Sequence, residues 1–448
     1  MYHPHAMEQE RGRLGLGDGV GLVVSSMVGA GVFVSAGFMV QDMGPGTVLA
    51  AWVVGAVIAL SGARAYATVA EWVPRSGGEY KFLSELLHPA LGYLAGWASL
   101  LLGFSAPLAV DALVSGSFAA TIVPGTDPAT FGVIVIVALT VLHAVDFRSS
   151  KWTHTILVVV DGVLLAGFVV VGLAYGHNAW PGWTPPNVHA GFPTDAFMQS
   201  LFFIAFAFSG WNAAAYAADE FKDARRDVPR SMLLGCALVA ILYLVVNWVF
   251  VANLTPEQGR TVFQYEQTRI TLGHVVVRQL VGPWGARAMS VLALVAFIAA
   301  ASAMTLVGPR VYAAMAKDGF LPKALAGRAG KPPAWSLILQ AAMALLILST
   351  HSLQQVLANV GAILTLFAAL TSFTVFRVRF FPSTLQLQPP STVTMIAAFV
   401  HVASAALMLY FGFRGSTHLL LWVAAVSVVA LGAYGATEMM RPAAPREE

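Results

Sequence analysis

Charged side chains are scarce in this sequence. Asp, Glu, Lys and Arg make up 10% of its 448 residues, whereas hydrophobic residues make up 58%. Soluble domains carry about 25% charged residues, so this composition excludes a soluble globular protein. The formal net charge of +3 is too small to indicate a nucleic-acid partner. Because the chain is also too long for one or two spans of about 20 residues, we predict a multi-pass protein in a lipid bilayer.

Cysteine is nearly absent as well. Cys236 is the only one, so no disulfide can form within the chain. The sequence also lacks a metal-ligand cluster, a nucleophile elbow and a phosphate-binding loop, and we therefore predict no enzyme activity, no bound metal and no cofactor. Residues 1–15 are polar for too long and lack a small-residue cleavage site, so we expect no removable signal peptide.

Long apolar runs are abundant and predict an all-α membrane protein with twelve transmembrane helices. All six lysines fall on the side of the N-terminus, so the positive-inside rule predicts a cell-membrane protein with both termini in the cytoplasm. One membrane domain, 16–437, then lies between the tails 1–15 and 438–448. The predicted helices are 16–40, 45–72, 89–123, 129–146, 151–175, 195–217, 230–253, 283–316, 334–350, 354–378, 393–412 and 418–437.

The first predicted helix contains glycines where a simple anchor is expected to hold Leu or Ile. Residues 23–38 read VVSSMVGAGVFVSAGF, with Gly29 and Gly31 on either side of Ala30. Glycine leaves helical dihedrals readily, and an interrupted helix has free N–H groups at the start of its second half that can bind an anion. An aqueous cavity must then lie beside them. The alternative interpretation is a face of small residues that packs against another helix.

The sixth predicted helix contains a corresponding interruption. Its stretch 203–217 reads FIAFAFSGWNAAAYA and places Ser209, Gly210 and Asn212 at mid-span. Interrupted helices at corresponding positions of two halves are the best sequence indication of a transporter site at the bilayer midplane. This agreement favours a binding site over simple packing in the first helix.

Two short amphipathic helices support the division into halves. They are predicted at 76–87, after helix 2, and within 255–280, after helix 7, on opposite sides of the membrane. A reversed side at a spacing of five helices is typical of an inverted repeat. We therefore predict a 5+5 repeat that pairs helices 1–5 with helices 6–10, with two additional C-terminal helices. The repeats cover about 16–175 and about 195–378, and the additional helices cover about 393–437.

Five segments, in order and at the right spacing, carry a family resemblance. They are VGAGVF at 28–33, PRSGGEY at 74–80, AFAFSGWN at 205–212, DARRDVPRSM at 223–232, and GPRVYAAMAKDGFLPKAL at 308–325 followed by PPAW at 332–335. The chain resembles the amino acid permeases of the amino acid, polyamine and organocation (APC) superfamily, which have the leucine-transporter-like fold. The resemblance implies a secondary active transporter of amino acids that works by alternating access, either coupled to a cation or as an exchanger.

The resemblance also implies a role for matching residues. N–H groups around Ala30 and Gly31 are expected to bind the substrate carboxylate, and carbonyls around 206–209 its ammonium group. Phe206 resembles an aromatic lid over the substrate, although packing in the core is the alternative for this ring. Substrate contacts are implied for Met27, Val28, Gly29, Ala30, Gly31, Phe206, Ala207, Phe208 and Ser209, and gate positions for Phe206 and Trp211.

Asp161 departs from the family pattern, because it stands where many relatives have a lysine. A carboxyl group at mid-span is costly in lipid, so we expect a function for it. It is predicted to couple transport to an ion, with H⁺ favoured and Na⁺ as the runner-up. Ser302 and Thr305 of helix 8 are the candidate fellow ligands. A structural hydrogen bond to a neighbouring helix is the alternative.

Asp111 is the second acidic residue within a predicted span. It is a candidate for selecting cationic substrates or for admitting protons, and a bond to backbone freed by Pro107 is equally compatible with its position. Polyamine or cationic amino acid transport is thus the alternative function, and a non-transporting amino-acid sensor a further one. Relatives with a disulfide-linked subunit need a cysteine after helix 3, and the loop IVPGTDPAT has none, so we expect no such partner.

Overall fold

The computed structural model describes most of the chain. The described residues are 14–40, 42–145, 159, 162–163, 165–177, 179–181, 191–254, 271–327, 333–350, 352–381 and 387–415, with scattered positions between 421 and 435. All regular elements within these residues are helical, apart from an isolated bridge between Leu14 and Phe221. The predicted all-helical class is therefore confirmed.

Fifteen α-helices are named in chain order. They are α1 Leu16–Met27, α2 Ala30–Met39, α3 Pro45–Trp72, α4 Glu79–Leu86, α5 Pro89–Ala98, α6 Ser105–Ile122, α7 Pro128–Val145, α8 Leu165–Tyr175, α9 Thr194–Ala207, α10 Ala213–Tyr216, α11 Ala224–Ala252, α12 Leu272–Lys317, α13 Ala334–Thr350, α14 Leu353–Phe380 and α15 Thr392–Gly415. A π-helical segment, Ser99–Phe104, joins α5 to α6 in one continuous span.

Among the described residues, seven helical spans are long and apolar enough to cross a membrane, and four shorter apolar helices accompany them. Together they fall in every predicted span except the last, 418–437, which lies largely outside the described residues. The first span, Leu16–Met39, is 88% buried over its most apolar window, whereas the window of Thr392–Arg414 is 28% buried. The interrupted first helix is therefore at the centre of the molecule, and α15 is at its edge.

The first helix breaks at the predicted glycines. It ends at Met27, and the second half begins at Ala30, with Val28 and Gly29 both in extended conformation. The extended backbone at Gly29 is open to any residue. What requires glycine here is space, because a Cβ atom on Gly29 would lie 3.0 Å from Ala300 Cβ and 3.0 Å from Asp111 Oδ1.

The sixth helix is interrupted over a longer stretch. Its first half, α9, ends at Ala207, and helical structure resumes only at Ala213 in α10. Gly210 between them has a φ of +103°, a value that L-residues with a side chain rarely adopt. The interruption predicted from Ser209, Gly210 and Asn212 is therefore present.

Two further irregularities shape the surroundings of these breaks. The π-helical segment Ser99–Phe104 precedes Pro107, which has no N–H to donate to the preceding turn. In α12 the backbone leaves helical geometry at Val281 and Gly282, so a short outer piece is separated from the span that was predicted to start at residue 283. The amphipathic helix predicted at 76–87 is α4, whereas most of the outer connection 255–280 lies outside the described residues.

Candidate functional site

The two interrupted helices cross each other at their breaks. Gly31, in the first turn of α2, faces the end of α9 so closely that a Cβ atom on it would lie 2.6 Å from Ala207 Cα. One turn further along α2, Ser35 Oγ donates a hydrogen bond to the Phe203 carbonyl at 3.2 Å. Helices α2 and α9 are thus in backbone contact, and Gly31 is the residue that permits it.

A second glycine makes the equivalent contact on the other side of the break. A Cβ atom on Gly210 would overlap the Ser26 carbonyl of α1. Along the first helix the contact positions run 26, 31 and 35, while along the sixth they run 210, 207 and 203. The two helices are therefore antiparallel through the crossing, and each break lies beside the other.

Tyr243 of α11 connects both breaks, a role that sequence reasoning did not find. Its hydroxyl oxygen lies 2.5 Å from the Met27 carbonyl oxygen and 3.0 Å from the Ala207 carbonyl oxygen. Both carbonyls are the last of a helical half. A phenol has one proton, so it can serve only one of the two at a time, and the other can accept a hydrogen bond from another donor. The rings of Trp52 and Phe208 pack against the Tyr243 ring at 5.7 and 5.1 Å.

Asp111 lies at the first break. Its carboxylate oxygens are 3.0 and 3.4 Å from where a Cβ atom on Gly29 would stand, and its side chain is 5% exposed. Gly29 is the N-cap of α2, so this carboxylate is next to the positive end of a helix dipole, where anions are stabilised. The structure thus brings Asp111 to the predicted carboxylate position, a proximity that spacing in the sequence does not reveal.

A cavity of about 100 Å³ opens beside the sixth break. Its lining includes Phe208, Ser209 and Trp211 of the unwound stretch, together with Ser26 of α1. The Ser26 hydroxyl is 5% exposed and has no hydrogen-bond partner among the described residues. A buried hydroxyl without a partner costs about 1–3 kcal/mol, so this group is available to a polar ligand.

The remaining predicted contacts lie outside that lining. Met27, Val28, Gly29 and Gly31 do not line the cavity in this conformation, and neither does Phe206, which is 5% exposed. These residues are part of the crossing itself.

One backbone carbonyl of the crossing already has a partner within the sixth helix. The Phe206 carbonyl accepts the Ser209 N–H at 2.9 Å. Ala30 begins α2. The sequence therefore located the two breaks, whereas the accessible space lies on one side of them.

Glu79 is a second functional candidate that the sequence reasoning did not single out. Its carboxylate accepts hydrogen bonds from Tyr66 Oη at 3.0 Å, from Asn212 Nδ2 at 2.5 Å, and from Tyr216 Oη. Glu79 also lines the cavity and is 7% exposed. These four residues are called the Glu79 cluster below. The only signal in the sequence was an acidic residue inside the motif PRSGGEY.

The proposed ion-coupling residues are brought together only in part. Ser302 Oγ lies 2.9 Å from His143 Nε2, and Thr305 Oγ1 donates to the Ala301 carbonyl at 2.8 Å. Asp161 lies outside the described residues, so its place relative to both hydroxyls stays a prediction. Among the described residues, no group of three His, Cys, Asp or Glu is placed to hold a metal ion.

Comparison with known proteins places this geometry in a family context. The chain is 28% identical over 262 residues to the Asc-type amino acid transporter 1 of Homo sapiens, an alignment that covers 55% of this chain and 49% of the relative. It is 24% identical over 377 residues to the human large neutral amino acids transporter small subunit 2, covering 80% of this chain and 68% of the relative. It is 25% identical over 278 residues to the b(0,+)-type amino acid transporter 1 of Oryctolagus cuniculus, covering 59% and 55%.

The chain thus spans between about half and two thirds of the length of these curated relatives. A family model described as amino acid permease matches residues 14–434, which is nearly the whole chain and includes both helix breaks. The resemblance carried by the sequence motifs is therefore confirmed, and this chain belongs to the amino acid permease family.

Proposed function

We propose that this protein is a secondary active transporter that moves amino acids across the cell membrane by alternating access. The observation that carries the proposal is the crossing of two interrupted helices, with a cavity beside it. Interrupted helices offer backbone N–H groups and carbonyls to a zwitterion without burying a formal charge of the protein. The relatives named above are amino acid transporters, and membership of the amino acid permease family supports the same activity here.

In the proposed architecture, residues 16–437 form one transporter domain with twelve transmembrane helices. Helices 1–5 and 6–10 are the inverted repeats, and helices 11 and 12 are additional. The tails 1–15 and 438–448 lie in the cytoplasm. The antiparallel crossing at Gly31 and Gly210 supports this arrangement, because inverted repeats place their first helices in opposite directions.

Substrate is proposed to bind where the breaks meet the cavity. Its ammonium group would donate a hydrogen bond to whichever of the Met27 and Ala207 carbonyls does not accept one from Tyr243. Ser26, whose hydroxyl has no partner among the described residues, would bind a second polar group. Phe206 and Trp211 are the proposed gate residues, and the Trp211 ring already lies between Tyr66 at 4.6 Å and His401 at 6.2 Å.

A second candidate function is transport of cationic amino acids or polyamines. The specific observation in its favour is the Asp111 carboxylate beside Gly29. A carboxylate of the protein at the start of α2 occupies the place in which a substrate carboxylate is expected, and it attracts a cation instead. The Asp111→Asn variant separates the two functions. If Asp111 binds cationic substrates, the variant should lose the wild-type preference for them. If cationic compounds are not the substrates, the variant should keep the wild-type substrate selectivity.

Coupling is proposed to run through Asp161, to protons first and to sodium as the alternative. Ser302 and Thr305, both at most 1% exposed, remain the candidate fellow ligands. We propose that the chain works without a disulfide-linked subunit, because its single cysteine, Cys236, is buried in α11 and cannot reach a partner chain.

Uptake into proteoliposomes tests the proposal. Purified protein would be reconstituted and offered a panel of labelled amino acids and polyamines, with proton and sodium gradients imposed separately. We expect uptake of at least one amino acid above protein-free vesicles, and competition by unlabelled substrate. No uptake, exchange or binding of any member of the panel by a folded protein would overturn the proposed function.

A further inference from the structure

The Glu79 cluster connects three parts of the molecule that are distant in sequence. Tyr66 belongs to α3, Glu79 is the first residue of α4, Asn212 is the last residue of the interruption in the sixth helix, and Tyr216 belongs to α10. Asn212 is 133 residues and Tyr216 is 137 residues from Glu79 along the chain. The carboxylate therefore connects α3 and α4 to the sixth helix at the end of its interruption.

The fit between α4 and the sixth helix is close. Gly78, the N-cap of α4, has a φ of +53°, and a Cβ atom there would overlap the Tyr216 ring. The Phe104 ring, in the π-helical segment, packs against the Tyr216 ring with the ring centroids 5.1 Å apart. Tyr216 is thus held between Gly78 and Phe104, with its hydroxyl directed at Glu79.

No cation compensates the Glu79 carboxylate among the described residues. Its hydrogen-bond partners are an amide and two phenols, and the phenols are the titratable groups that face it from α3 and α10. Burial raises the pKa of Glu79, and hydrogen bonds from Tyr216, from its own backbone, from Tyr66 and from Asn212 oppose the rise. A buried carboxylate without a cation gains a proton more readily than one in water.

The charged groups nearby are engaged with each other. Lys81, two residues further along α4, lies 2.6 Å from Asp318 Oδ2 at the end of α12. Arg310 of α12 pairs with Glu220 at 2.6 Å. Neither cation contacts Glu79 among the described residues, so its charge is balanced by hydrogen bonds alone.

His401 is the other titratable group that lines the cavity. It belongs to α15, and its Nδ1 lies 2.9 Å from Ser372 Oγ. It is not a hydrogen-bond partner of Glu79 among the described residues, so its own titration is separable from that of the cluster.

Both protonation states of Glu79 can be accommodated by the same neighbours. The ionised form accepts from all three donors. A protonated Glu79 can donate its O–H to Tyr216 or Tyr66, since a phenol oxygen accepts as well as donates. The cluster therefore does not need to come apart when a proton binds.

We propose that Glu79 is a proton-binding site whose occupancy is coupled to separation of the sixth helix from α4. The proton enters from water while the cluster is assembled and returns to water when Tyr216 and Asn212 move away. In the proposed orientation this side is cytoplasmic, so proton release accompanies opening toward the cytoplasm. The inference rests on the proposed transport function and deepens it, because it names a coupling site other than Asp161.

The direction of the pH effect follows from linkage. In water a glutamic acid titrates near about 4.3, whereas the closed cluster raises the pKa of Glu79 above its ordinary value. The closed form therefore binds the proton more tightly than the open form. Lowering the pH through the interval between the pKa values of Glu79 in the open and closed forms favours the closed form. Raising the pH favours the open form until Glu79 is ionised in both forms.

Thiol labelling in the full-length protein tests this inference. Ala98 lines the cavity and is 4% exposed, and the native Cys236 is fully buried, so an Ala98→Cys variant reports cavity access over a low background. A membrane-impermeant maleimide would be applied to each side of proteoliposomes between about pH 5 and about pH 8. After correction for the intrinsic reactivity of the thiol, we expect the labelling rate from one side to increase with pH. The increase should be roughly tenfold for each unit between the pKa of Glu79 in the closed form and its pKa in the open form.

Variants of the cluster decide whether Glu79 causes the change. Glu79→Gln imitates the protonated acid, so its labelling should be slow and independent of pH. Tyr216→Phe removes one donor to the ionised form, which raises the pKa of Glu79 further and should move the labelling midpoint to higher pH. Glu85→Gln is the matched control on α4, since Glu85 pairs with Arg75 at the surface, and it should keep the wild-type profile.

The outcomes separate this inference from the proposed function. A Glu79→Gln variant that keeps the wild-type pH profile overturns the inference, even when wild-type uptake is intact. If that variant fails to fold, the midpoint of Tyr216→Phe decides, and an unshifted midpoint overturns the inference. Absence of amino acid uptake by wild-type protein overturns the proposed function, whereas pH-dependent labelling that is lost in Glu79→Gln still supports Glu79 as a proton-binding site.

Discussion

The two helix interruptions differ in length and in surroundings. The first consists of Val28 and Gly29 alone, is enclosed by packing, and does not line the cavity. The second runs from 208 to 212, and every one of its residues lines the cavity. A short break closed by backbone contacts is a rigid feature, whereas a long break beside open space keeps its polar groups accessible. The first interruption therefore holds the two helices in position, and the second leaves its polar groups accessible to a ligand.

The two interruptions are also held by different forces. The close contact at Gly31 is with the backbone and Cβ atom of Ala207, which water cannot replace, and the contact at Gly29 is with Ala300 Cβ and the Asp111 carboxylate. The end of the second interruption and α10 are held by hydrogen bonds of Asn212 and Tyr216 to Glu79, which water can replace at a net cost of about 0.5–1.5 kcal/mol each. We therefore expect motion during transport at the second interruption.

The largest effect is expected from Gly31→Leu, which attacks the rigid contact. A side chain here has no room, because its Cβ atom would already lie 2.6 Å from Ala207 Cα. Ligand-induced thermal stabilisation should be abolished while membrane insertion persists. Gly21→Leu is the matched control in α1, since a Cβ atom on Gly21 meets nothing within 4 Å. Wild-type stabilisation by substrate in Gly31→Leu would show that the crossing is not part of the site.

Gly210→Ala tests the second crossing contact and should have the next largest effect. It combines a backbone strain of about 1–2 kcal/mol with an overlap on the Ser26 carbonyl. Gly125→Ala isolates the strain, because Gly125 has a φ of +91° with nothing within 4 Å of its Cβ position. We expect Gly210→Ala to lose substrate affinity and Gly125→Ala to lose only a little thermal stability. Equal behaviour of the two variants would contradict a role for the contact with Ser26.

Phe206→Ala distinguishes a gate from core packing at the end of α9. If Phe206 is a gate residue, the variant should transport several-fold less than wild type while its expression stays near wild type. Core packing predicts instead that the substrate-free variant loses about 3–5 kcal/mol of stability in detergent. Phe208→Ala is the comparison variant for Phe206→Ala, because Phe208 lines the cavity and contacts Tyr243 whereas Phe206 does not line the cavity. Loss of stability without a separate loss of transport in Phe206→Ala would count against the gate.

Tyr243→Phe should have the smallest effect of the four. It removes the hydroxyl that lies between the Met27 and Ala207 carbonyls and retains the packed ring. A net hydrogen bond is worth about 0.5–1.5 kcal/mol, so KM should change by up to about tenfold with little change in melting temperature. Tyr312→Phe is the control, since the buried Tyr312 hydroxyl contacts the Leu100 carbonyl at 3.5 Å and the Ser105 side chain. An unchanged KM would remove Tyr243 from the site.

Local chemistry made much of the fold predictable. Glycine and small polar residues at mid-span located both interruptions, because they affect the backbone where they stand. Apolar windows located the spans, and the amphipathic pattern at 76–87 located α4. These features depend on neighbours a few residues away.

The surroundings of the site could not be predicted in the same way. Tyr243 reaches Met27 across 216 residues of sequence, and no periodic pattern encodes that contact. Glu79 and Asp111 were visible as acidic residues, but their proximity to Tyr216 and Gly29 depends on how the helices pack. Asp161, which was the most informative residue in the sequence analysis, lies outside the described residues, and its role stays a prediction.

Substrate protection of a single introduced thiol tests the central claim most directly. Ser209→Cys lines the cavity at the second interruption, whereas Ser35→Cys lies at the contact of α2 with the Phe203 carbonyl and is fully buried in the wild-type structure. We predict that the Ser209→Cys thiol reacts with a small maleimide, that a transported amino acid slows this reaction in a saturable manner, and that the Ser35→Cys thiol reacts slowly with or without substrate. A Ser209→Cys protein that still transports the amino acid, and whose labelling rate is the same at zero and saturating substrate, would contradict binding beside the second interruption.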